Sequence, residues 1–276
     1  MDAFFLPTDS GARFCIHHRP PDHADRAAAV VFAPAFAEEM NKSRHVVAQT
    51  ARRLAAMGIG VLLIDPLGCG DSSGGFEDAT WAAWRDDINL GAQWLAKQGY
   101  RRLWVWGMRL GALLAAECAA DPQSPFERCV LWQPVASGEA HLTQFLRLRT
   151  AGAMISDSTS GETVKQLRAR LNAGDQLEVA GYGLSSSLAM DIEARRLAQS
   201  APLCRINWFE VVPAGSEQSQ VPLAADRVLT QWRDQGVQAD VLVVEGDSFW
   251  SATSAAELIQ CPSLVDATAQ AARAWL

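Results

Sequence analysis

The segment Leu103-Trp104-Val105-Trp106-Gly107-Met108-Arg109-Leu110-Gly111-Ala112 constrains the fold more than any other part of the chain. A short apolar run passes into Gly-x-x-x-Gly and then into an alanine-rich stretch, which spells a buried strand, a sharp turn and a helix. Glycines at that spacing mark a turn too tight for side chains against neighbouring strands. The same rhythm recurs along the sequence. Ala28–Ala33, Gly60–Ile64, Arg102–Trp106 and Arg128–Gln133 read as strands. Asn41 or Ser43 is placed to cap a helix running to about Met57, with Val46, Val47, Thr50 and Leu54 inward. A second helix spans roughly Thr80–Gln98, where Trp81, Trp84, Ile88, Gly91 and Leu95 recur at helical spacing. An N-terminal hairpin is expected from Ala3–Leu6 and Arg13–His18, turning at Thr8–Gly11. From Pro134 to about Ser200 the alternation breaks into helices and loops. It resumes with strand Ile206–Val212, helix Ala224–Gln235, strand Ala239–Val244 and a last helix near Ser263–Leu276. Strand and helix in alternation predict a parallel sheet covered on both faces.

The 276 residues are 49% hydrophobic and 20% charged, the composition of an ordinary globular chain. A net charge of -7 argues against nucleic acid or an anionic membrane as the main partner. No run of eighteen apolar residues is present, so a membrane-spanning helix is not expected. Met1–Thr8 has neither the basic start nor the apolar stretch of a signal peptide. The six cysteines are scattered without a C-x-x-C pair, which fits a reducing cytoplasm. The five histidines show no metal-ligand spacing, and no metal or cofactor is expected.

A strand, Gly-x-x-x-Gly and a helix together form the frame of a nucleophile elbow. The central residue of such a turn projects at the carboxyl edge of the sheet, over a helix N-terminus. A working hydrolase needs Ser, Cys or Asp there. This chain has Arg109, whose guanidinium stays protonated and cannot attack a carbonyl.

With these elements in order, the sequence resembles the α/β-hydrolase superfamily over nearly its whole length. More narrowly, Phe36-Ala37-Glu38-Glu39-Met40-Asn41-Lys42-Ser43-Arg44 and Gly107-Met108-Arg109-Leu110-Gly111 resemble the second type of exosortase A system-associated hydrolase. The resemblance implies a single α/β-hydrolase domain over residues 1–276. It implies a mostly parallel sheet of the eight-stranded type flanked by helices, with a helical cap inserted at about 134–200. It also places the remaining triad positions. The acid falls at Gln218, in Gly215-Ser216-Glu217-Gln218-Ser219-Gln220-Val221-Pro222, where Glu217 is a displaced substitute at best. The histidine belongs in Gly246-Asp247-Ser248-Phe249-Trp250, with Phe249 at its position, and no histidine follows His141. The triad is therefore degenerate at all three positions.

Each candidate residue has a structural and a functional reading. A cation at Arg109 meets the positive end of a helix dipole, unfavourable by about 0.3–1 kcal/mol without an anion. Its partner is either an internal carboxylate (Glu38, Glu39 or Asp247) or a ligand carboxylate or phosphate. Glu38 and Glu39 follow the strand whose loop normally supplies half an oxyanion hole, and an acid pair there opposes oxyanion binding. Phe249 and Trp250 either wall an apolar pocket or plug it, and Trp132 and Gln133 ending a nearby strand favour the wall. Ser43 lacks a base, because His45 two residues on points elsewhere along the helix. Cys69 in the Gly68–Gly75 loop reads as packing, and the loop itself as a tight turn lacking the Lys-Ser/Thr of a P-loop. His141 reads as a surface or capping residue.

Two functions follow. In the first, a pseudoenzyme binds an acyl or other anionic small molecule, with an acyl carrier protein as a candidate donor. The contacts would come from Arg109, Met108, Glu38, Glu39, Phe36, Asp247, Phe249 and Trp250. In the second, an unconventional ester or thioester hydrolase or acyltransferase uses Arg109 as an electrophile and a carboxylate to activate water. An arginine beside that carboxylate should lower its pKa and weaken it as a base. A homodimer is compatible with either.

Overall fold

The computed structural model describes residues 1–21, 25–155, 162–215, 220–251 and 259–276, the side chains of 152–155 excepted. Strands β1 (Asp2–Thr8) and β2 (Gly11–His18) form the expected antiparallel hairpin. They are followed by β3 (Ala28–Ala33), β4 (Ile59–Ile64), β5 (Arg102–Met108), β6 (Phe126–Trp132), β9 (Arg205–Val212) and β10 (Ala239–Glu245). The eight strands lie in one sheet in the order β1-β2-β4-β3-β5-β6-β9-β10. Every neighbouring pair from β4 to β10 is parallel, and only the hairpin edge is antiparallel. The expected α/β-hydrolase fold is present.

Helices cover both faces, because β3, β5 and β6 are apolar on both sides. All six residues of β3 are buried. Helices α2 (Trp81–Lys97), α3 (Leu110–Ala120) and α7 (Leu223–Asp234) pack into one core with Val31, Val105 and Leu131. On the other face α1 (Glu38–Ala56) and α8 (Pro262–Arg273) cover Val30, Trp104, Trp106 and Trp132. Thr80 caps α2 by accepting from the Ala83 N–H. A buried ion pair, Arg13 Nε to Asp87 at 2.7 Å, ties the hairpin to α2, and the other Asp87 oxygen accepts from the Leu67 N–H.

Helix α1 begins at Glu38, earlier than Asn41 or Ser43 would set it. Its start comes from a backbone turn at Ala37 (φ 51°, ψ −125°), not from a side-chain cap. Glu38 and Glu39 fall in its first turn, where the helix dipole favours acids. Between β6 and β9 come α4 (Gly138–Ile155), α5 (Val164–Asn172), β7 (Leu177–Val179), β8 (Tyr182–Leu184) and α6 (Ser186–Ala194). The β7–β8 hairpin corrects the expectation of helices and loops alone; three-residue strands are too short to leave a period in sequence. The two stems of this insertion are stitched together. Ser137 bridges Arg196, the Gly138 N–H donates to the Arg195 carbonyl, and the Leu197 N–H to that of Ala136.

Candidate functional site

The carboxyl ends of β3, β5 and β6 meet at the Arg109 turn, and Trp250 from beyond β10 lies against it. Arg109 alone joins β5 to α3 and has φ 55° and ψ −119°, a backbone region that side chains rarely enter. The surroundings hold it there: its N–H donates to the Trp132 carbonyl, and its own carbonyl accepts from Ala112 and Val135. A Cβ on Gly107 would strike the Gly111 carbonyl, and one on Gly111 would strike the carbonyls of Ala33 and Pro34. The two glycines thus let α3 press against the end of β3. The Ala37 turn beside it has nearly the same dihedrals, so both loops that frame the site begin helices from a strained residue.

The Arg109 side chain closes onto Glu39. Its Nε lies 3.2 and 3.3 Å from the two carboxylate oxygens, and Nη2 lies 3.1 Å from one of them. Nη1 reaches the Gln133 carbonyl at 3.4 Å, and the guanidinium carbon sits 5.3 Å from the centre of the Trp250 ring. The two side chains are 15% and 18% exposed, so the pair is mostly shielded from water. Of the three carboxylates expected as partners, Glu39 is the one used. Glu38 turns toward Lys42, 3.8 Å away, leaving one buried oxygen without a partner. Asp247 is exposed. Burial raises the Glu39 carboxyl above its ordinary pKa by more than the Arg109 charge lowers it. This reverses the expected direction, because the dry setting disfavours the anion even beside a cation.

An aromatic cluster packs around Phe36, three residues before Glu39. Phe36 packs edge-on against Phe76, Trp84, His141 and Phe145 at centroid distances of 4.9–6.1 Å. Tyr182 from the β7–β8 hairpin continues the cluster against Phe76. A cavity of about 20 Å³ lies between Phe36, Ala37, Cys69, Trp84, Leu110 and Gly111, room for roughly one water, and is lined by neither Arg109 nor Glu39. Met108 is fully buried in the core under α1 and α8. Phe249 and Trp250 are buried in that same core, packed on each other and on Trp132. They plug the site and do not wall an open pocket.

Two groups escaped the sequence reading. His141 is buried, not superficial, and neither ring nitrogen has a hydrogen-bond partner. Burial and the Arg109 charge lower its pKa to about 3. Glu210 on β9 is 3% exposed, accepts from Trp208 Nε1 at 2.7 Å and feels the Arg109 charge. The signal for His141 was present in Ala140-His141-Leu142-Thr143-Gln144-Phe145-Leu146, where it shares a helical stripe with apolar residues. Glu210 alternates inside an otherwise apolar strand and gave no comparable signal.

The lesser candidates keep their structural readings. Ser43 is buried and donates to the Met40 carbonyl. Burial raises the Cys69 thiol to about 12, so it is no nucleophile at neutral pH. The glycine-rich loop wraps Asp65, which pairs with Arg44 and accepts from the Asp71 N–H. A Cβ on Gly70 would collide with that carboxylate. Glu217 and Gln218 lie outside the described residues. Among the described residues no group of three or more His, Cys, Asp or Glu could hold a metal, and no helix is long and apolar enough to cross a membrane.

Residues 17–212 match the family described as serine aminopeptidase, S33, a span well over half of the chain. The chain belongs to that family, and so to the α/β-hydrolase superfamily. Among solved structures it is similar to the Est1E protein of Butyrivibrio proteoclasticus with ferulic acid bound (TM-score 0.71, 16% identity, 99% of this chain and 97% of that one). It is also similar to mouse alpha/beta hydrolase domain-containing protein 10 (TM-score 0.63, 13% identity, all of both chains). Proline iminopeptidase of Mycobacterium smegmatis aligns as well (TM-score 0.60, 13% identity, 98% and 97%). At these identities the likeness is one of fold. No curated protein matches the sequence. In this S33 member the tight turn between β5 and α3 carries the Arg109–Glu39 ion pair.

Proposed function

We propose that this S33-family protein binds a small anion at its elbow and does not work as a serine hydrolase. The observation behind this is that the Glu39 carboxylate rests on Arg109 at the tip of the strained turn. An internal carboxylate there is the chemical image of the ligand the site would take. Arg109 offers a planar fork, suited to carboxylate or phosphate. A ligand competes with Glu39 for it, so the pair is the resting state and the anion complex the loaded one. The contact set remains Arg109, Glu39, Glu38, Phe36, Met108, Asp247, Phe249 and Trp250. Of these, burial of Met108 and exposure of Asp247 favour supporting roles at most.

The small cavity beside the elbow holds about one water, which supports a small anion more directly than a long acyl chain. An acyl group delivered by an acyl carrier protein, and membership of the exosortase A-associated type, rest on the two motifs in Phe36–Arg44 and Gly107–Gly111. In this reading residues 1–276 are one domain, 134–200 its cap, and the triad is degenerate. The six unpaired thiols fit a cytoplasmic setting. A second reading, slow ester or thioester hydrolysis, draws on the raised pKa of Glu39, which makes it a better base than an ordinary carboxylate.

A fluorophosphonate probe and calorimetric titration with propionate and inorganic phosphate test both readings. The binding reading expects no serine labelled and at least one anion bound. It also expects about tenfold weaker binding in Arg109→Lys, which keeps the charge and loses the fork. Stoichiometric serine labelling, or p-nitrophenyl acetate turnover abolished by Glu39→Gln, would reject it.

A further inference from the structure

Away from the elbow, one patch of the sheet beside α1 is left half-covered. Ile16 pairs with Leu63 across β2 and β4, and Leu63 with Phe32 across β4 and β3, so the three side chains form a row on one face. Helix α1 covers that row with Met40 and Val47, both buried. It also brings Ser43 and Ala48 there, which are too small to close the gap, and the Ser43 hydroxyl is bonded back to the Met40 carbonyl. Ile16, Leu63 and Ala48 are in consequence only partly buried. A cavity of about 130 Å³ remains between helix and sheet. Protein interiors hold few voids larger than a water molecule, so an apolar space of this size is one that a ligand can occupy.

Arg44 and Asp65 line the same cavity and are its charged groups. Asp65 is 9% exposed, and its two oxygens accept from Arg44 Nη2 at 3.2 and 3.1 Å, one of them also from the Asp71 N–H. Its charge is therefore answered within the protein. Arg44 is 43% exposed and is engaged through that one nitrogen; among the described residues its Nε and Nη1 have no partner. Those groups can only donate, so the polar end of a ligand must accept, and a carboxylate does so most strongly. An apolar cavity of about 150 Å³ holds a benzene ring, so this one suits a tail of about five carbons. We infer that the cavity between α1 and the β2–β4–β3 part of the sheet binds a short-chain carboxylate. Its tail lies along Ile16, Leu63 and Phe32, and its carboxylate meets Arg44. Neither Arg109 nor Glu39 lines this cavity, so it is a second site, independent of what the elbow binds.

The test is calorimetric titration with hexanoate and hexan-1-ol, which have the same chain length and differ in the charged end. Wild type should bind hexanoate at least fivefold more tightly than the alcohol. Ala48→Leu fills the cavity and keeps a good helix former on α1, so it should weaken hexanoate at least tenfold and leave the melting temperature level or higher. Ala48→Met, a more adaptable filler, takes its place if leucine overpacks and the protein fails to fold. Arg44→Gln should bring hexanoate down to the level of the alcohol and leave the alcohol unchanged. No hexanoate binding by wild type, or an affinity no better than that of the alcohol, would overturn the inference. So would an affinity undiminished in Arg44→Gln, or in a folded protein with the cavity filled. Hexanoate binding that survives Ala48→Leu and is lost in Arg109→Ala belongs to the elbow; it would overturn this second site and leave the anion-binding reading standing.

Discussion

Arg109 holds φ 55° and ψ −119° although it carries a full side chain, and Glu39 meets it from the facing loop. Such a backbone costs about 1–3 kcal/mol and persists only where the surroundings impose it. Removing the side chain separates strain from pairing. Arg109→Gly and Arg109→Ala both leave Glu39 unpaired, but only glycine is free of the Cβ penalty. Arg109→Gly should be more stable than Arg109→Ala by about 1 kcal/mol in urea denaturation. An alanine variant equal to or above glycine would mean the turn relaxes when the arginine goes. At this scale the sequence was informative where sterics write a signature and silent where partners come from afar. Gly107 and Gly111 announced the tight turn that holds Arg109 at its tip. The choice of Glu39 over Glu38 and Asp247 depends on how α1 leaves Ala37, which no local pattern records. The raised Glu39 pKa comes from burial, which tertiary packing imposes and no local pattern records.

Among the elements, the elbow and the insertion between β6 and β9 set different tolerances. A methyl at Gly111 would meet the backbone carbonyls of Ala33 and Pro34, which cannot move without shifting β3. Gly174, after α5, has φ 98° with open space around it, so alanine there meets only the left-handed backbone penalty. Gly174→Ala should cost about 1–2 kcal/mol. Gly111→Ala should cost more than about 4 kcal/mol or fail to give folded protein, in the range reserved for overpacking of a rigid core. Comparable melting temperatures for the two would show that α3 can slide from β3. The strands and the sheet's helices were legible because apolar runs, turns and helical stripes each leave a period, whereas the order of the strands leaves none. The start of α1 was not, since a backbone turn at Ala37 does the work that a capping side chain usually does. Nor was the β7–β8 hairpin, although it contributes Tyr182 to the aromatic cluster around Phe36 and Phe76.

For the whole molecule, three buried imidazoles among the described residues, His17, His18 and His141, have pKa values lowered chiefly by burial and couple stability to pH. His141 has its pKa lowered to about 3 and His17, bonded to Tyr100 Oη at 3.1 Å, to about 4, both chiefly through burial. Asp2 opposes the His17 shift, while Arg19, Arg26 and His18 reinforce it. A lowered folded pKa means that the unfolded chain takes up the proton first. The stability associated with each group is therefore present above about pH 6.5 and is lost as pH falls toward its folded value. Each fully buried group contributes a slope of roughly 1 kcal/mol per pH unit in that window. His141→Leu should flatten the loss between pH 6 and 4 in thermal melts, and an unchanged slope would mean that the ring is already hydrated in the folded protein. The central claim is that Glu39 is an internal competitor for the anion site at Arg109. Glu39→Gln removes the competing charge and leaves the arginine in place. Titration of wild type and Glu39→Gln with propionate at pH 7 measures this directly. Affinity should rise about tenfold or more in the variant, as charge-assisted bonds now held by Glu39 become available to the ligand. An affinity that falls or stays the same in Glu39→Gln, in a protein that remains folded, would contradict it.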